Sequence, residues 1–115
     1  MIGIDILEID RLERALQRRP ALRRRLFSDD ELAYADRRAR PAMHLAARFC
    51  AKEAVAKALS LDAWAWKDVE VVATDAAPQI RLTGTAAARA AELGARPIVS
   101  LTHTHTTAAA VAFLA

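Results

Sequence analysis

The sequence is short of cysteine, glycine and aromatic residues, and each shortage excludes a class of protein. The single cysteine, Cys50, cannot form an intramolecular disulfide, so the chain is not a disulfide-stabilised scaffold. With 3 glycines and 4 prolines, no stretch is typical of a flexible linker or a low-complexity segment. No segment approaches the roughly 18 consecutive apolar residues that span a bilayer. The first residues also lack the basic leader and cleavage site of a signal peptide, so we predict a cytoplasmic protein that does not bind membranes.

The basic residues are concentrated near the start of the chain. Seven arginines lie between residues 11 and 25 against one acidic residue, Glu13, although the formal net charge is only +3. Such a local field favours an anionic partner. Nucleic acid is disfavoured as that partner, because aromatic residues make up only 5% of the chain and do not alternate with these arginines.

The remaining composition indicates a globular protein of the α+β class. Its 115 residues, 54% of them hydrophobic, suit one domain (1–115) with one core. Periodicity, a capping box at Ser28 and the turn residues predict a strand, three helices, two paired strands, a helix and a final hairpin. The first strand is predicted to be buried on both faces, and an antiparallel sheet should pack against the longest helix. The predicted elements after that strand are 11–19, 29–38, 41–59, 68–74, 79–83, 84–93, 98–103 and 107–114.

Two carboxylates stand out in otherwise apolar surroundings. Asp5 lies among isoleucines in the first strand, where an ionised group needs a partner, and Glu53 lies on the long helix. If strand and helix bring the two together, they suit Mg²⁺, which takes one or two protein carboxylates and fills its other positions with water and phosphate. The alternative for Glu53 is an ordinary helix ion pair with Lys57, four residues further on. Arg48, Lys52 and Lys57 on or near one side of that helix could then neutralise a diphosphate.

Other reactive side chains receive structural or minor roles. Cys50 is predicted to be a packed thiol rather than a nucleophile, and Trp64 and Trp66 are predicted to pack a loop onto the core. His103 and His105 could project to one face of a strand as zinc ligands, but nothing in the sequence places a third ligand beside them. His103 is better suited to donate a hydrogen bond to a phosphate or ribose, with His105 on the surface of a turn.

Several segments together resemble the holo-acyl-carrier-protein synthases, the short class of 4′-phosphopantetheinyl transferases. Residues 3–11, GIDILEIDR, are similar to that family's G-x-D-I-x-E-I-x-R, and residues 48–58, RFCAKEAVAKA, to its R-F-x-A-K-E-A-x-x-K-A. Residues 27–34, FSDDELAY, and 99–103, VSLTH, followed by the alanine-rich strand 108–113, resemble two further family segments. Because these motifs occur in the family's order along essentially the whole chain, the resemblance is specific.

The resemblance implies transfer of 4′-phosphopantetheine from coenzyme A to a serine of an apo acyl carrier protein, with release of adenosine 3′,5′-bisphosphate. By position, Asp5 and Glu53 would be the Mg²⁺ ligands. Glu53 would also act as the base for the carrier serine, directly or through a bound water, and Lys57 would stabilise or protonate the leaving phosphate. The positions that match coenzyme-binding residues are Arg40, Arg48, Lys52, His103 and Thr104.

The resemblance also implies a homotrimer whose coenzyme cleft lies between neighbouring subunits. The first helix, with Arg11, Arg14 and Arg18, would face an acidic helix of the carrier protein. The alternative is a non-catalytic module of the same fold that binds carrier proteins without modifying them. The chain departs from the family at residues 60–64, where glycines are usual, at the turn residues 77–78, and at Thr107, where an aromatic residue is common.

Overall fold

The computed structural model describes residues 1–115 and confirms the α+β class. Strands and helices follow the predicted order, with one helix more than expected before the long helix. The strands are β1 (Ile2–Glu8), β2 (Val69–Val72), β3 (Gln79–Leu82), β4 (Pro97–His103) and β5 (Thr107–Leu114). The helices are α1 (Ile9–Arg18), α2 (Leu22–Leu26), α3 (Asp29–Asp36), α4 (Pro41–Leu59) and α5 (Gly84–Leu93), with a short 3₁₀ turn at Trp66–Asp68. No helix combines the length and apolar character needed to cross a membrane.

The core forms where α4 lies across an antiparallel sheet of order β1–β5–β4. The small buried side chains Ala108, Ala110 and Ala112 of β5 face the helix and let it approach closely. Gly3 serves the same purpose in β1, because a Cβ atom there would lie 1.9 Å from the carbonyl oxygen of Ala54. Strand β1 therefore rests directly on the backbone of α4, and this contact determines where Asp5 lies.

The other face of this sheet is apolar and uncovered. The prediction that β1 is buried on both faces is wrong for the single chain, because Ile2, Ile4 and Ile6 are 71%, 66% and 69% exposed. Their alternate neighbours along β1 point towards α4, as the two-residue period of a strand requires. Phe113, opposite Ile2 across the β1–β5 ladder, and Ile98 of β4 extend the uncovered surface. We call these five residues the isoleucine face.

The helix boundaries show which local signals were reliable. The capping box is present, since Ser28 accepts from the amide of Glu31 and Glu31 accepts from the amide of Ser28. Helix α1 begins at Ile9 rather than at residue 11, so Asp10 lies inside its first turn. Helix α2 was not predicted, and its five residues are too few to show a periodic pattern. Buried Leu26 anchors α2 to the core.

The smaller β2–β3 sheet and α5 complete the chain. The loop after α4 is held by aromatic packing, with the ring of Trp66 stacked on Phe49 at 4.7 Å and Trp64 lying 4.6 Å from Trp66. This confirms the predicted structural role of the two tryptophans, which both pack against the core cluster.

Candidate active site

Asp5 and Glu53 line one cavity of about 430 Å³, which we call the carboxylate cavity. Asp5 reaches it from β1 and Glu53 from α4, because Gly3 allows the strand to lie against that helix. Arg11 of α1 lies at the rim, and the remaining walls are largely apolar side chains such as Leu12 and Phe49. An acidic pair in an apolar pocket is the arrangement that the sequence predicted.

The charge state of Glu53 depends on its burial and on its two charged neighbours. Burial raises the pKa of Glu53, the negative charge of Asp5 raises it further, and Lys57 opposes both effects. Neighbouring anions in a partly apolar cavity attract a cation that takes oxygen ligands. Nowhere in the chain do three or more His, Cys, Asp or Glu side chains converge as metal ligands. A pair of carboxylates leaves most coordination positions to water and phosphate, which suits Mg²⁺ and does not suit zinc.

Lys57 is held against the strand rather than along its own helix. Its Nζ donates to the carbonyl oxygen of Ile4 at 2.9 Å and lies 3.3 Å from Oδ1 of Asp5. The helix ion pair between Glu53 and Lys57 does not form; Lys57 pairs with Asp5 across the strand–helix contact instead. Because its side chain is 53% exposed, the ammonium group remains open to a ligand entering the cavity.

Cys50 lies behind the carboxylates and is chemically inert. Burial, followed by the charge of Asp5, raises the pKa of this thiol to about 12. The thiol donates to the carbonyl oxygen of Ala108 at 3.6 Å. The predicted packed thiol is therefore confirmed.

Arg48 lies in a second, separate cleft. This cleft of about 340 Å³ shares no lining residue with the carboxylate cavity. We call it the cationic cleft, because its lining includes Tyr34, Arg38, His44, Arg48 and His103 and contains no carboxylate. Arg48 is only 6% exposed, forms no ion pair, and its Nε has no hydrogen-bond partner. A buried cation without a counterion is costly, so this guanidinium is suited to bind an anion that enters the cleft.

Lys52 does not fit the phosphate-binding role expected from the sequence. Its side chain is fully buried, and Nζ lies 2.8 Å from Oε1 of Glu31. The same ammonium donates to the carbonyl oxygens of Trp66, at 3.2 Å, and of Val69. All three donors of the ammonium are thus used inside the protein. Lys52 joins α4 to α3 and β2, and no hydrogen of this group is left for a phosphate.

The histidines do not have the arrangement that the zinc alternative requires. His103 ends β4, whereas His105 lies in the exposed turn, so the two do not share a strand face. Nothing in the sequence placed His44 near the other two histidines, but its ring lies edge-on to that of His103 with 5.9 Å between centroids. Burial, the charge of Arg48 and the charge of His103 all lower the pKa of His44.

Arg40 and Thr104 lie at the β4–β5 turn, close to the start of α1. Arg40 donates to the carbonyl oxygen of His105 and pairs with Asp10 at 3.1 Å. The hydroxyl of Thr104 accepts from the amide of Thr107 at 3.0 Å and so shapes the turn. Both side chains keep solvent-exposed surface beside this turn.

The arginines expected to face a carrier protein lie on one exposed side of α1. Arg11, Arg14 and Arg18 are exposed and form no ion pair within the chain. Arg11 also lines the carboxylate cavity. The basic surface is therefore continuous with the entrance to the acidic pair.

Sequence reasoning missed Tyr34, Arg38 and His44 in the cationic cleft and Glu31 as the partner of Lys52. The spacing of Tyr34 and Arg38, one helical turn apart, was visible in the sequence. The contact of Tyr34 with Arg48 depends on how α3 packs on α4, which no local pattern shows.

Comparison with known proteins defines the class first. The fold superposes on the crystal structure of Helicobacter pylori holo-[acyl-carrier-protein] synthase in complex with coenzyme A, with a TM-score of 0.84, 26% identity and 100% of both chains covered. This α+β chain therefore has the phosphopantetheinyl transferase fold.

Sequence relationships identify the family more closely. The holo-[acyl-carrier-protein] synthase of Moorella thermoacetica is 48% identical, with 97% of this chain and 91% of the relative covered. That of Streptomyces avermitilis is 50% identical, with 96% and 92% covered. Residues 1–112 match the 4′-phosphopantetheinyl transferase superfamily. The chain belongs to this superfamily and, within it, to the holo-[acyl-carrier-protein] synthase family of enzymes.

Proposed function

We propose that this enzyme transfers 4′-phosphopantetheine from coenzyme A to a serine of an apo acyl carrier protein, in a Mg²⁺-dependent reaction that releases adenosine 3′,5′-bisphosphate. The observation that carries the proposal is the carboxylate cavity, in which Asp5 and Glu53 meet beside Lys57. A bound Mg²⁺ would be held by Asp5 and Glu53 and would withdraw charge from the diphosphate. The family relationship supports the same reaction.

The side chains of the cavity can move the protons that this reaction requires. The serine oxygen forms a bond to the phosphorus that carries pantetheine, and the bond from that phosphorus to the bridging oxygen breaks. The serine proton passes to Glu53, directly or through a bound water. The oxygen of the leaving phosphate receives a hydrogen bond or a proton from Lys57, which stays accessible at the edge of the cavity.

We propose that the coenzyme also contacts Arg48 and His103 of the cationic cleft, with Arg40 and Thr104 at the nearby turn. Because the cleft and the carboxylate cavity share no residue within one chain, a site formed by both is best completed by a neighbouring subunit. The isoleucine face supports such an assembly, since a contiguous apolar surface of this kind is typical of an interface between subunits. We propose the homotrimer predicted from the sequence, and the cytoplasm as its location.

Intact-mass spectrometry of an apo carrier protein, incubated with the enzyme, coenzyme A and Mg²⁺, tests the reaction directly. We expect a mass gain of one phosphopantetheine group and adenosine 3′,5′-bisphosphate in the supernatant. Both should disappear with a chelator and in Asp5→Asn and Glu53→Gln, whereas Lys67→Met, an exposed lysine outside both sites, should retain them. Full activity in both carboxylate variants would reject the assignment. Carrier binding without any mass gain in the wild type would favour the non-catalytic alternative.

The basic side of α1 is the proposed carrier-binding surface. Its exposed, unpaired arginines match an acidic helix, and such contacts weaken as salt screens the charges. Arg14→Glu should therefore raise KM for the carrier and leave the dissociation constant for coenzyme A unchanged. An unchanged KM for the carrier, measured at low and high salt, would place the carrier elsewhere.

A further inference from the structure

No carboxylate is among the residues that line the cationic cleft. Arg38, His44, Arg48 and His103 all line it, and neither arginine forms an ion pair in the chain. Arg48 makes only one hydrogen bond, a long one of 3.5 Å from Nη1 to the carbonyl oxygen of His44. Like charges this close repel, and burial lowers the pKa of Arg48. Some other contact must hold these groups in place.

The ring of Tyr34 provides that contact. The guanidinium carbon of Arg38 and that of Arg48 each lie 3.9 Å from its centroid. The ring of His44 meets the same ring edge-on at 5.9 Å. The faces of an aromatic ring carry partial negative charge, so one ring attracts both guanidinium groups. Tyr34 therefore contacts three of the four basic side chains of the cationic cleft.

An aromatic ring and a carboxylate would have different effects here. A carboxylate would fix Arg48 by a bidentate pair and would cancel its positive charge. A ring orients the flat guanidinium through stacking and leaves both its charge and its N–H groups available to a ligand. The unpartnered Nε of Arg48 shows that this hydrogen-bonding capacity is in fact unused within the chain.

We propose that Tyr34 is a positioning residue for substrate binding: its ring holds Arg48 and Arg38 in the orientation that receives a phosphate group of the coenzyme. The inference rests on the proposed function, because that reaction supplies the phosphate-bearing ligand. Coenzyme A offers two groups of this chemistry, the diphosphate and the 3′-phosphate monoester. Since the carboxylate cavity is a separate site for phosphate, Tyr34 acts on coenzyme affinity and not on the chemical step.

The test compares Tyr34→Phe, which keeps the ring, with Tyr34→Leu, which removes it. The dissociation constant of coenzyme A is measured by calorimetry without a carrier, and kcat and KM are then measured with one. For Tyr34→Leu we expect coenzyme affinity to fall about tenfold, the order of a desolvated cation–π contact, with kcat at saturating coenzyme unchanged. Tyr34→Phe should restore affinity to within about twofold of the wild type, because the stacking ring is retained. The fold control is Leu32→Ala on the same helix, which weakens packing against the core without touching the cleft.

Each outcome of this test has a defined meaning. Wild-type affinity in Tyr34→Leu, or equal losses in the Leu and Phe variants, would overturn the inference, as would an equal loss in Leu32→Ala. Repeating the titration with dephospho-coenzyme A identifies the group that is bound. A loss seen only with coenzyme A assigns the cleft to the 3′-phosphate, and a loss seen with both compounds assigns it to the diphosphate. If the wild type binds coenzyme A but modifies no carrier, the proposed function fails while the role of Tyr34 is still tested.

Discussion

Replacing Lys52 with methionine should destabilise the fold rather than weaken coenzyme binding. The ammonium is fully buried, lies 2.8 Å from Glu31 and uses its other donors on two backbone carbonyls. Methionine fills the space but leaves the Glu31 carboxylate buried without its counterion. Removing one partner of a buried ion pair costs about 3–5 kcal/mol in the free energy of unfolding. For a domain of this size, 1 kcal/mol corresponds to about 4 °C, so we expect the melting temperature to fall by about 12–20 °C.

The measurement is thermal unfolding by circular dichroism at a fixed subunit concentration and without ligand, since association and ligands shift the melting temperature. A second variant, Lys52→Met with Glu31→Gln, removes both charges. It should be less destabilised than the sum of the two single changes by at least about 2 kcal/mol, because no unpaired buried charge remains. Lys67→Met controls for the loss of an exposed lysine nearby. If Lys52→Met melts within a few degrees of the wild type but raises KM for coenzyme A, Lys52 binds phosphate and our reading of the buried pair is wrong.

Three further changes probe other parts of the molecule. The folded protein raises the pKa of Glu53, so the ionised side chain destabilises the metal-free fold as pH rises above the ordinary glutamate range. Glu53→Gln should therefore raise the melting temperature at neutral pH without Mg²⁺ and have little effect in acid. Equal shifts at both pH values would contradict this. Ile4→Glu places a charge on the isoleucine face and should convert the proposed trimer to monomers in light scattering. Gln79→Glu, at an exposed strand position away from that face, should leave the molecular mass unchanged. Ser60 follows α4 with φ at 54°, in the left-handed region that strains residues other than glycine. Ser60→Gly should therefore stabilise the fold by about 0.5–1 kcal/mol in denaturant unfolding. A loss of stability in this variant would refute the strain argument.

Local patterns were sufficient for most of the fold. Pro41 at the start of α4, Gly94 at the end of α5 and the capping box of Ser28 act within one or two turns of chain, so their effects are visible in the sequence. Helix α2 was missed because five residues are held by tertiary packing rather than by periodicity. The burial of β1 was misjudged because the same isoleucines suit a strand covered on both faces and a strand whose second face is left uncovered by its own chain.

The candidate site was predictable where residue type alone limits the chemistry. A carboxylate among isoleucines demanded a partner, and the structure brings Asp5 and Glu53 to one cavity. The positions of the basic side chains in the folded chain were not predictable, because they depend on which elements pack around α4. Lys52 was grouped with Arg48 from spacing and from the family resemblance, yet it is buried in the core beside Glu31 of α3. The role of Tyr34 was hidden for the same reason, since its contacts cross from one helix to another.

Helix α4 carries its charged groups on two sides of its circumference. Successive residues turn by about 100°, so Glu53 and Lys57 share one side while Arg48 and Lys52 lie on another. Inserting a single residue between Lys52 and Glu53 would therefore rotate the carboxylate and Lys57 away from β1 while leaving Arg48 in the cationic cleft. Adding a residue to the turn at 94–96, which lines neither the carboxylate cavity nor the cationic cleft, would disturb neither group. An inserted residue should thus be tolerated in that turn. In the middle of α4 it should abolish activity, even though every side chain is kept.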